Sequence, residues 1–203
     1  GYRMQHEPNT QRIMQFAKQK PYGDIKTIIA EAGYNGTGAS PSWRTDPVLG
    51  GGAMYDMGVY PLNAARYTAG EEPIAVTATM NSTTEVYKNI DETTHFELEF
   101  ASGTRAVCAT SYAQSMNQLR AECSKGWYEL KPFQSYSGVQ GRTSDGIILP
   151  PAPENQQARQ MDNDALAIIN KSPVLVPGEE GMKDIIIVEA VYKAAKEAKR
   201  ILL

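Results

Sequence analysis

The sequence predicts an α+β domain in which one largely antiparallel sheet is covered by helices on one face and open on the other. Segments with strand-type patterns follow one another from residue 74 to residue 130, and a short Ala-Ser-Gly-Thr connection at 101–104 joins two of them. Helical periodicity is confined to the stretches before and after this run, together with one helix at its beginning. Consecutive strands with segregated helices are typical of an α+β layer, and we assign residues 1–203 to one such domain.

The first half of the chain alternates helical and extended patterns. Pro8 suits the first turn of a helix, which should stop before Pro21 and Gly23. A β-branched strand, a loop rich in Gly, Ser and Pro, and a central helix ending at Gly70 then follow at residues 24–33, 35–47 and 52–68.

The second half begins with strands and ends with two helices. The predicted strands span residues 74–80, 93–100, 104–112, 118–124 and 127–130, with a short edge strand at 147–149. Residues 133–146 read as a loop with room for one extra strand. Helices are predicted at 155–170 and from 178 to about 200, and the first should turn Met161, Ala165, Leu166 and Ile169 inward.

Composition excludes several classes of function. Hydrophobic residues make up 41% of the 203 residues, and the formal net charge is −3, which does not suit a nucleic-acid-binding surface. No apolar run approaches the roughly 18 residues of a membrane helix, so we expect a soluble protein of the cytoplasm or the periplasm. The chain opens GYRMQHEP without an initiator methionine and reads as a segment of a longer polypeptide.

Metal and nucleophile motifs are missing. Cys108 and Cys123 lack metal spacing and are interpreted as buried free thiols on strands. His6 and His95 lie far apart in sequence, so a histidine metal site or a serine hydrolase triad is poorly supported. The glycines of residues 33–38 are followed too soon by Pro41 to form the glycine-rich turn that binds a dinucleotide.

The stretch from Trp43 to Tyr67 carries the candidate site. Asp56, Tyr60 and Asn63 are spaced i, i+4 and i+7, which predicts a carboxylate, a phenol and an amide on one helical face. A phenol can act as a general acid or base when a cation lies nearby. Asp56 could accept a hydrogen bond from the phenol, orient it, or bind a substrate hydroxyl, and Asn63 could bind another hydroxyl. A core helix whose Tyr and Asp satisfy each other has the same spacing.

The pattern WR–xxxxx–GGG–xxx–D–x–G–x–Y–xxN–xxRY–xxGEEP resembles the C-terminal domain of the glucose–fructose oxidoreductase / inositol dehydrogenase (Gfo/Idh/MocA) family, especially its glucose–fructose oxidoreductase-like sugar oxidoreductases. The opening GYRMQHEP and the residues PGEEGM at 177–182 support this resemblance, which covers almost the whole chain. It implies a two-domain enzyme in which an N-terminal Rossmann domain binds NADP or NAD. That domain would be a partner of this chain within the same polypeptide.

The resemblance also implies roles for individual residues. Tyr60 matches the family's catalytic acid/base and Asp56 its preceding aspartate, whereas Asn63 stands where an aspartate is common. Trp43 and Arg44 match a pair that approaches the cofactor, and Arg3, just after the domain junction, is a further cofactor-side candidate. The family's lysine of an E-K-P motif is not in this chain, so the fragment alone should be inactive.

We therefore expect an NAD(P)-dependent oxidoreductase that acts on a sugar or polyol, without a metal. The open face of the sheet should bind a second copy, giving a homodimer or larger oligomer. Two alternatives remain: a non-catalytic oligomerisation or carbohydrate-binding module, and a family member that has lost catalysis and only senses a ligand. A strand–GxGxxG–helix and an E-K-P motif upstream would distinguish the enzyme from the module.

Overall fold

The computed structural model describes residues 1–203 and contains four α-helices. They are α1 (Pro8–Gln19), α2 (Val59–Ala69), α3 (Gln156–Asn170) and α4 (Gly178–Glu197). Pro8 occupies the first turn of α1 and Gly70 ends α2 in the left-handed conformation, as the sequence predicts.

One sheet of nine strands forms the centre of the molecule. Its strands are β1 (Ile25–Gly33), β2 (Pro73–Asn81), β3 (Thr93–Phe100), β4 (Arg105–Ser111), β5 (Met116–Cys123), β6 (Gly126–Leu130), β7 (Gly141–Thr143), β8 (Ile148–Leu149) and β9 (Ile201–Leu202). Their order is β8-β7-β6-β5-β1-β4-β3-β2-β9, and only the central pair β1–β4 is parallel. The predicted fold class, a largely antiparallel open sheet, is confirmed.

Alternation along the strands produces one buried and one open face. In β3, Phe96 and Leu98 are buried, while Glu97 and Glu99 point to the other side. Helix α2 packs on β1 and α4 packs on β2, so the apolar core lies between these helices and one face of the sheet. On the opposite face Glu97 is paired with Arg105, and Glu129 with Arg120 and Arg142.

The second half of the chain agrees with the prediction in one place and differs from it in another. Residues 133–146 contain β7, which is the extra strand that the prediction allowed for. Helix α4 ends at Glu197 because Ala198 adopts the left-handed conformation, and the chain then adds β9 along β2. The sequence did not indicate this terminal strand, since two residues are too few to show a period.

The prediction that α3 turns its large apolar residues inward is wrong. Met161 is 70% exposed and Ile169 is 74% exposed, and Ala165 and Leu166 are also on the outside. The inner side of α3 instead packs through polar groups on the 3₁₀ turn Arg3–His6. Arg159 Nε donates to the His6 carbonyl at 2.9 Å and Asn163 Nδ2 lies 3.1 Å from His6 Nδ1.

Both cysteines are free thiols on strands. Cys108 is buried on β4, as expected, whereas Cys123 on β5 is only half-buried. Burial raises the pKa of Cys123 to about 11, so neither thiol is activated as a nucleophile. None of the helices combines the length and the apolar character needed to cross a membrane.

Candidate active site

The central helix begins with a turn of π-helix, Met54–Gly58, before it becomes α2. Gly52, just ahead of this turn, has φ +128°, and a Cβ built there would lie 2.2 Å from Asp91 Oδ1. Only glycine therefore allows the chain to pass this close to the Asp91 carboxyl group in this conformation. π-turns of this kind often mark functional sites.

Asp91 fixes the start of the π-turn through a hydrogen bond to its first residue. Its buried side chain accepts hydrogen bonds from the Met54 backbone N–H at 2.8 Å, Thr94 Oγ1 at 2.7 Å and the Tyr192 hydroxyl at 2.7 Å. Burial raises the pKa of Asp91, while these three donors favour its charged form. No local sequence pattern marks Asp91, because it lies just before β3 and far from the central helix in sequence.

Asp56 lies within the π-turn and is bonded to two side chains through one oxygen. Arg44 Nε donates to Asp56 Oδ2 at 2.9 Å, and the Tyr112 hydroxyl lies 3.1 Å from the same oxygen. The other oxygen, Oδ1, has no hydrogen bond within the protein, and the side chain is 15% exposed. Asp56 therefore presents one free acceptor to the surface, and it does not hydrogen-bond Tyr60.

Arg44 connects the Trp43–Arg44 part of the sequence motif to the central helix. Its guanidinium carbon lies 4.4 Å from the Trp43 ring centroid, so the two side chains stack on each other. The same guanidinium forms the ion pair with Asp56, which raises the pKa of Arg44. Both side chains of the pair Trp43 and Arg44 are about half exposed.

Tyr60 lies at the start of α2 in a shallow cleft. The cleft is lined by residues from four segments: Gly1, Tyr2, Arg3, Val59, Tyr60, Tyr136, Gln157 and Gln160. The guanidinium of Arg3 is 5.9 Å from the Tyr60 ring centroid and 4.3 Å from that of Tyr136. Arg3 Nη1 is bonded to Gln156 Oε1 at 2.9 Å, whereas Nη2 is buried without a hydrogen-bond partner.

Tyr136, Gln157 and Gln160 were missed because no local pattern marks them. Gln157 and Gln160 lie on the first turns of α3, which docks on the Arg3–His6 turn, and Tyr136 lies in the loop after β6.

Asn63 has a different environment from the one that the sequence predicts. It is 1% exposed, and its amide accepts from Gln5 Nε2 and donates to Asp184 Oδ2, each at 2.9 Å. Asp184 in turn accepts from Arg66 Nη1 at 2.6 Å. The i+7 spacing does place Asn63 along the helix from Asp56. At Asn63, however, the surface of α2 faces α4, so the amide oxygen and the amide nitrogen are both hydrogen-bonded within the protein.

Comparison with known proteins identifies the family to which this domain is similar. The family model described as the GFO/IDH/MocA C-terminal domain matches residues 10–129. D-xylose 1-dehydrogenase [NADP(+)] of Haloarcula marismortui is 26% identical over 97% of this chain and 57% of its own length. Inositol 2-dehydrogenase of Rhizobium meliloti is 25% identical over 74% of this chain and 49% of its own length.

A solved structure is similar over the whole chain. The aldose-aldose oxidoreductase from Caulobacter crescentus, complexed with glycerol, superposes with a TM-score of 0.92 at 32% identity. The alignment covers 100% of this chain and 63% of that protein. The chain thus spans about half to two thirds of the length of the relatives that it matches.

Proposed function

Because the chain belongs to the GFO/IDH/MocA family, whose C-terminal domain it forms, we propose that it is the substrate-side domain of an NAD(P)-dependent oxidoreductase acting on a sugar or polyol. The observation that carries this proposal is the pair of groups on the central helix. Tyr60 presents its phenol to a cleft beside Arg3, and Asp56 presents one free carboxylate oxygen nearby along the same helix. The names of the relatives, xylose and inositol dehydrogenases, support a polyhydroxylated substrate.

In this proposal the residues of this chain bind the substrate and move its proton. Tyr60 takes the proton of the reacting substrate hydroxyl as the phenolate in oxidation, and it returns that proton as the phenol in reduction. Asp56 Oδ1 accepts a hydrogen bond from a substrate hydroxyl, while Arg44 and Tyr112 hold Oδ2. Arg3 places a permanent positive charge beside the Tyr60 ring. Asn63 acts indirectly, since its amide joins α2 to Asp184.

The exposed side chains also fit a nicotinamide cofactor approaching from outside this domain. The Trp43–Arg44 stack offers a flat, cationic surface, and the side chain of Arg3 lines the cleft beside Tyr60. These groups suit an aromatic ring, an amide or a phosphate. When bound, NAD(P) would accept or donate the hydride at the substrate carbon.

We further propose that the cofactor is held mainly by an N-terminal Rossmann domain of the same polypeptide. The relatives are longer than this chain, and no dinucleotide fingerprint occurs within it. The lysine expected beside the phenol belongs to that domain as well. Residues 1–203 alone should therefore show no turnover with any sugar and NADP or NAD.

Tyr60→Phe in the full-length polypeptide tests the assignment. Loss of the proton-transferring hydroxyl should lower kcat with D-xylose and NADP by at least about 100-fold, the lower range for general acid–base catalysis. The measurement is the rate of NADPH formation by absorbance, with other aldoses and inositol as further substrates.

Tyr128→Phe is the matched control. Its hydroxyl is buried without a hydrogen-bond partner, and its ring packs against Phe16 and Tyr22 rather than in the cleft beside Tyr60, so its removal should leave kcat unchanged. Wild-type turnover by Tyr60→Phe on every substrate that the native enzyme accepts would exclude the proposed role. Sugar binding without any turnover by the native full-length protein would favour a carbohydrate-binding or ligand-sensing module instead.

A further inference from the structure

Tyr112 is a buried phenol that lies directly under the π-turn. It follows the last residue of β4, has no exposed surface, and packs against Tyr34 and Tyr87 with ring centroids 5.3 Å and 5.2 Å away. This small aromatic cluster is separate from the main core. Its hydroxyl is directed at the Asp56 carboxylate of the candidate active site.

The Tyr112 hydroxyl bridges the backbone just before the π-turn and a side chain within that turn. It lies 3.0 Å from the Gly52 carbonyl oxygen and 3.1 Å from Asp56 Oδ2. A phenol has one proton, so it can share that proton between these acceptors, and a carboxylate is the stronger one. Burial and the Asp56 charge raise the pKa of Tyr112, so its hydroxyl stays protonated and remains a donor near neutral pH.

Two donors therefore fix the rotation of the Asp56 carboxylate. Arg44 approaches Oδ2 from a half-exposed 3₁₀ turn, where a long side chain can move. Tyr112 approaches the same oxygen from the packed interior, where its ring cannot move. With Oδ2 held on both sides, Oδ1 is left as the free acceptor at the surface.

We propose that Tyr112 is a positioning residue, which holds Oδ2 of Asp56 so that Oδ1 faces a hydroxyl of the substrate. The inference rests on the proposed function of Asp56 in substrate binding. Tyr112 itself does not touch the substrate, because it is fully buried. Its effect should therefore appear in sugar affinity rather than in cofactor affinity.

Tyr87 offers a matched comparison in the same cluster. Its ring packs on Tyr112, but its hydroxyl donates to the Gly36 carbonyl at 2.5 Å and does not reach Asp56. Removing either hydroxyl leaves a similar polar gap in similar packing. Only removal of the Tyr112 hydroxyl takes a hydrogen bond away from the Asp56 carboxylate.

The test is a double-mutant cycle in the full-length enzyme with D-xylose and NADP. Tyr112→Phe should raise KM for D-xylose about 10-fold, as expected for a lost hydrogen bond to a charged group. KM for NADP should stay unchanged, and Tyr87→Phe should leave both constants unchanged. In an Asp56→Asn background, Tyr112→Phe should cause little further change, because the group that it positions is already altered.

Thermal melting shows whether each variant folds. If Tyr112→Phe does not fold, p-aminophenylalanine at position 112, which keeps a donor at the same place, should fold and keep KM within about threefold of wild type. A folded p-amino variant with KM raised as far as in Asp56→Asn would overturn the inference.

The possible failures are distinguishable. Effects of Tyr112→Phe and Asp56→Asn that simply multiply, or an equal rise in KM for Tyr87→Phe, would show that Tyr112 only packs. A wild-type KM for Asp56→Asn would instead overturn the proposed function of Asp56, and the positioning role with it.

Discussion

At the scale of single residues, Arg66 shows how a buried charge joins two helices. Its side chain is 4% exposed and pairs with Asp184 at 2.6 Å, Glu72 at 2.7 Å and Glu180 at 3.0 Å. Asp184 and Glu180 belong to α4, so the guanidinium ties α2 to that helix. Removing one partner would leave a buried charge incompletely compensated.

The Glu72 partner makes this pairing depend on pH. Hydrogen bonds from Arg66 and Lys183 lower the pKa of Glu72 from 4.5 to about 2. Because the folded pKa lies below the unfolded one, the stabilisation is complete above about pH 4.5 and is lost as the pH falls toward about 2. Glu72 is half exposed, so we expect only about 1 kcal/mol at neutral pH.

Urea unfolding of wild type and Glu72→Gln from pH 7 to pH 3 measures this contribution. The difference in the free energy of unfolding should shrink below about pH 4.5. Glu197→Gln is the control, since Glu197 is exposed and forms no ion pair. A difference that is independent of pH would contradict the assigned pairing.

At the scale of elements, the π-turn determines how the central helix presents its polar groups. Gly52, Asp91 and Tyr112 meet at its start, and they come from three separate segments. Gly58, within the turn, lets the helix approach Thr110 of β4, where a Cβ would lie 3.1 Å from the threonine methyl. The turn is thus packed closely against the sheet.

Gly52→Ala tests this description of the turn. The φ of +128° is strained for alanine, and its methyl would meet the Asp91 carboxylate, so we expect a loss of about 1–3 kcal/mol in stability. The sugar kcat/KM should fall as well, because Asp56 moves with the turn. Gly38→Ala, whose Cβ would meet nothing within 4 Å, should melt like wild type. Equal melting temperatures for both variants would contradict the description.

At the scale of the whole molecule, one face of the sheet is not covered by any helix of the chain. Its charges are arranged in cross-strand pairs. The guanidinium carbons of Arg120 and Arg142 lie 4.0 Å and 5.6 Å from the centroid of the Trp127 ring. Val107, on a central strand, is 48% exposed on this face. A flat face with internally paired charges can be buried at a lower electrostatic cost than one with isolated charges.

We expect this face to form a homodimer or larger oligomer. Light scattering of the full-length protein at micromolar concentration should give at least twice the monomer mass. Val107→Lys should shift the mass toward the monomer, because it places an unpaired charge at the centre of the contact. Val48→Lys, in the exposed turn Pro47–Leu49 away from the sheet, is the control. A wild-type protein that is monomeric would show that the open face has another use.

The sequence alone determined the types and order of nearly all elements, because apolar periodicity is a local property of each segment. It also located Asp56 and Tyr60 on the central helix and identified Trp43 and Arg44 just ahead of that helix, since these residues belong to one local motif. The same local periods could not tell which side of α3 meets the rest of the protein, and the apolar side is exposed.

Only the tertiary structure decided what each polar side chain bonds. Asn63 meets Asp184, 121 positions later in the chain, and Asp56 meets Tyr112, 56 positions later. Such partners depend on how helices and strands pack, which a spacing of three or four residues does not encode. The helical spacing therefore identified the residues of the candidate site, and the packing of α4 and β4 against the central helix decided that Asn63 is occupied while one oxygen of Asp56 is free.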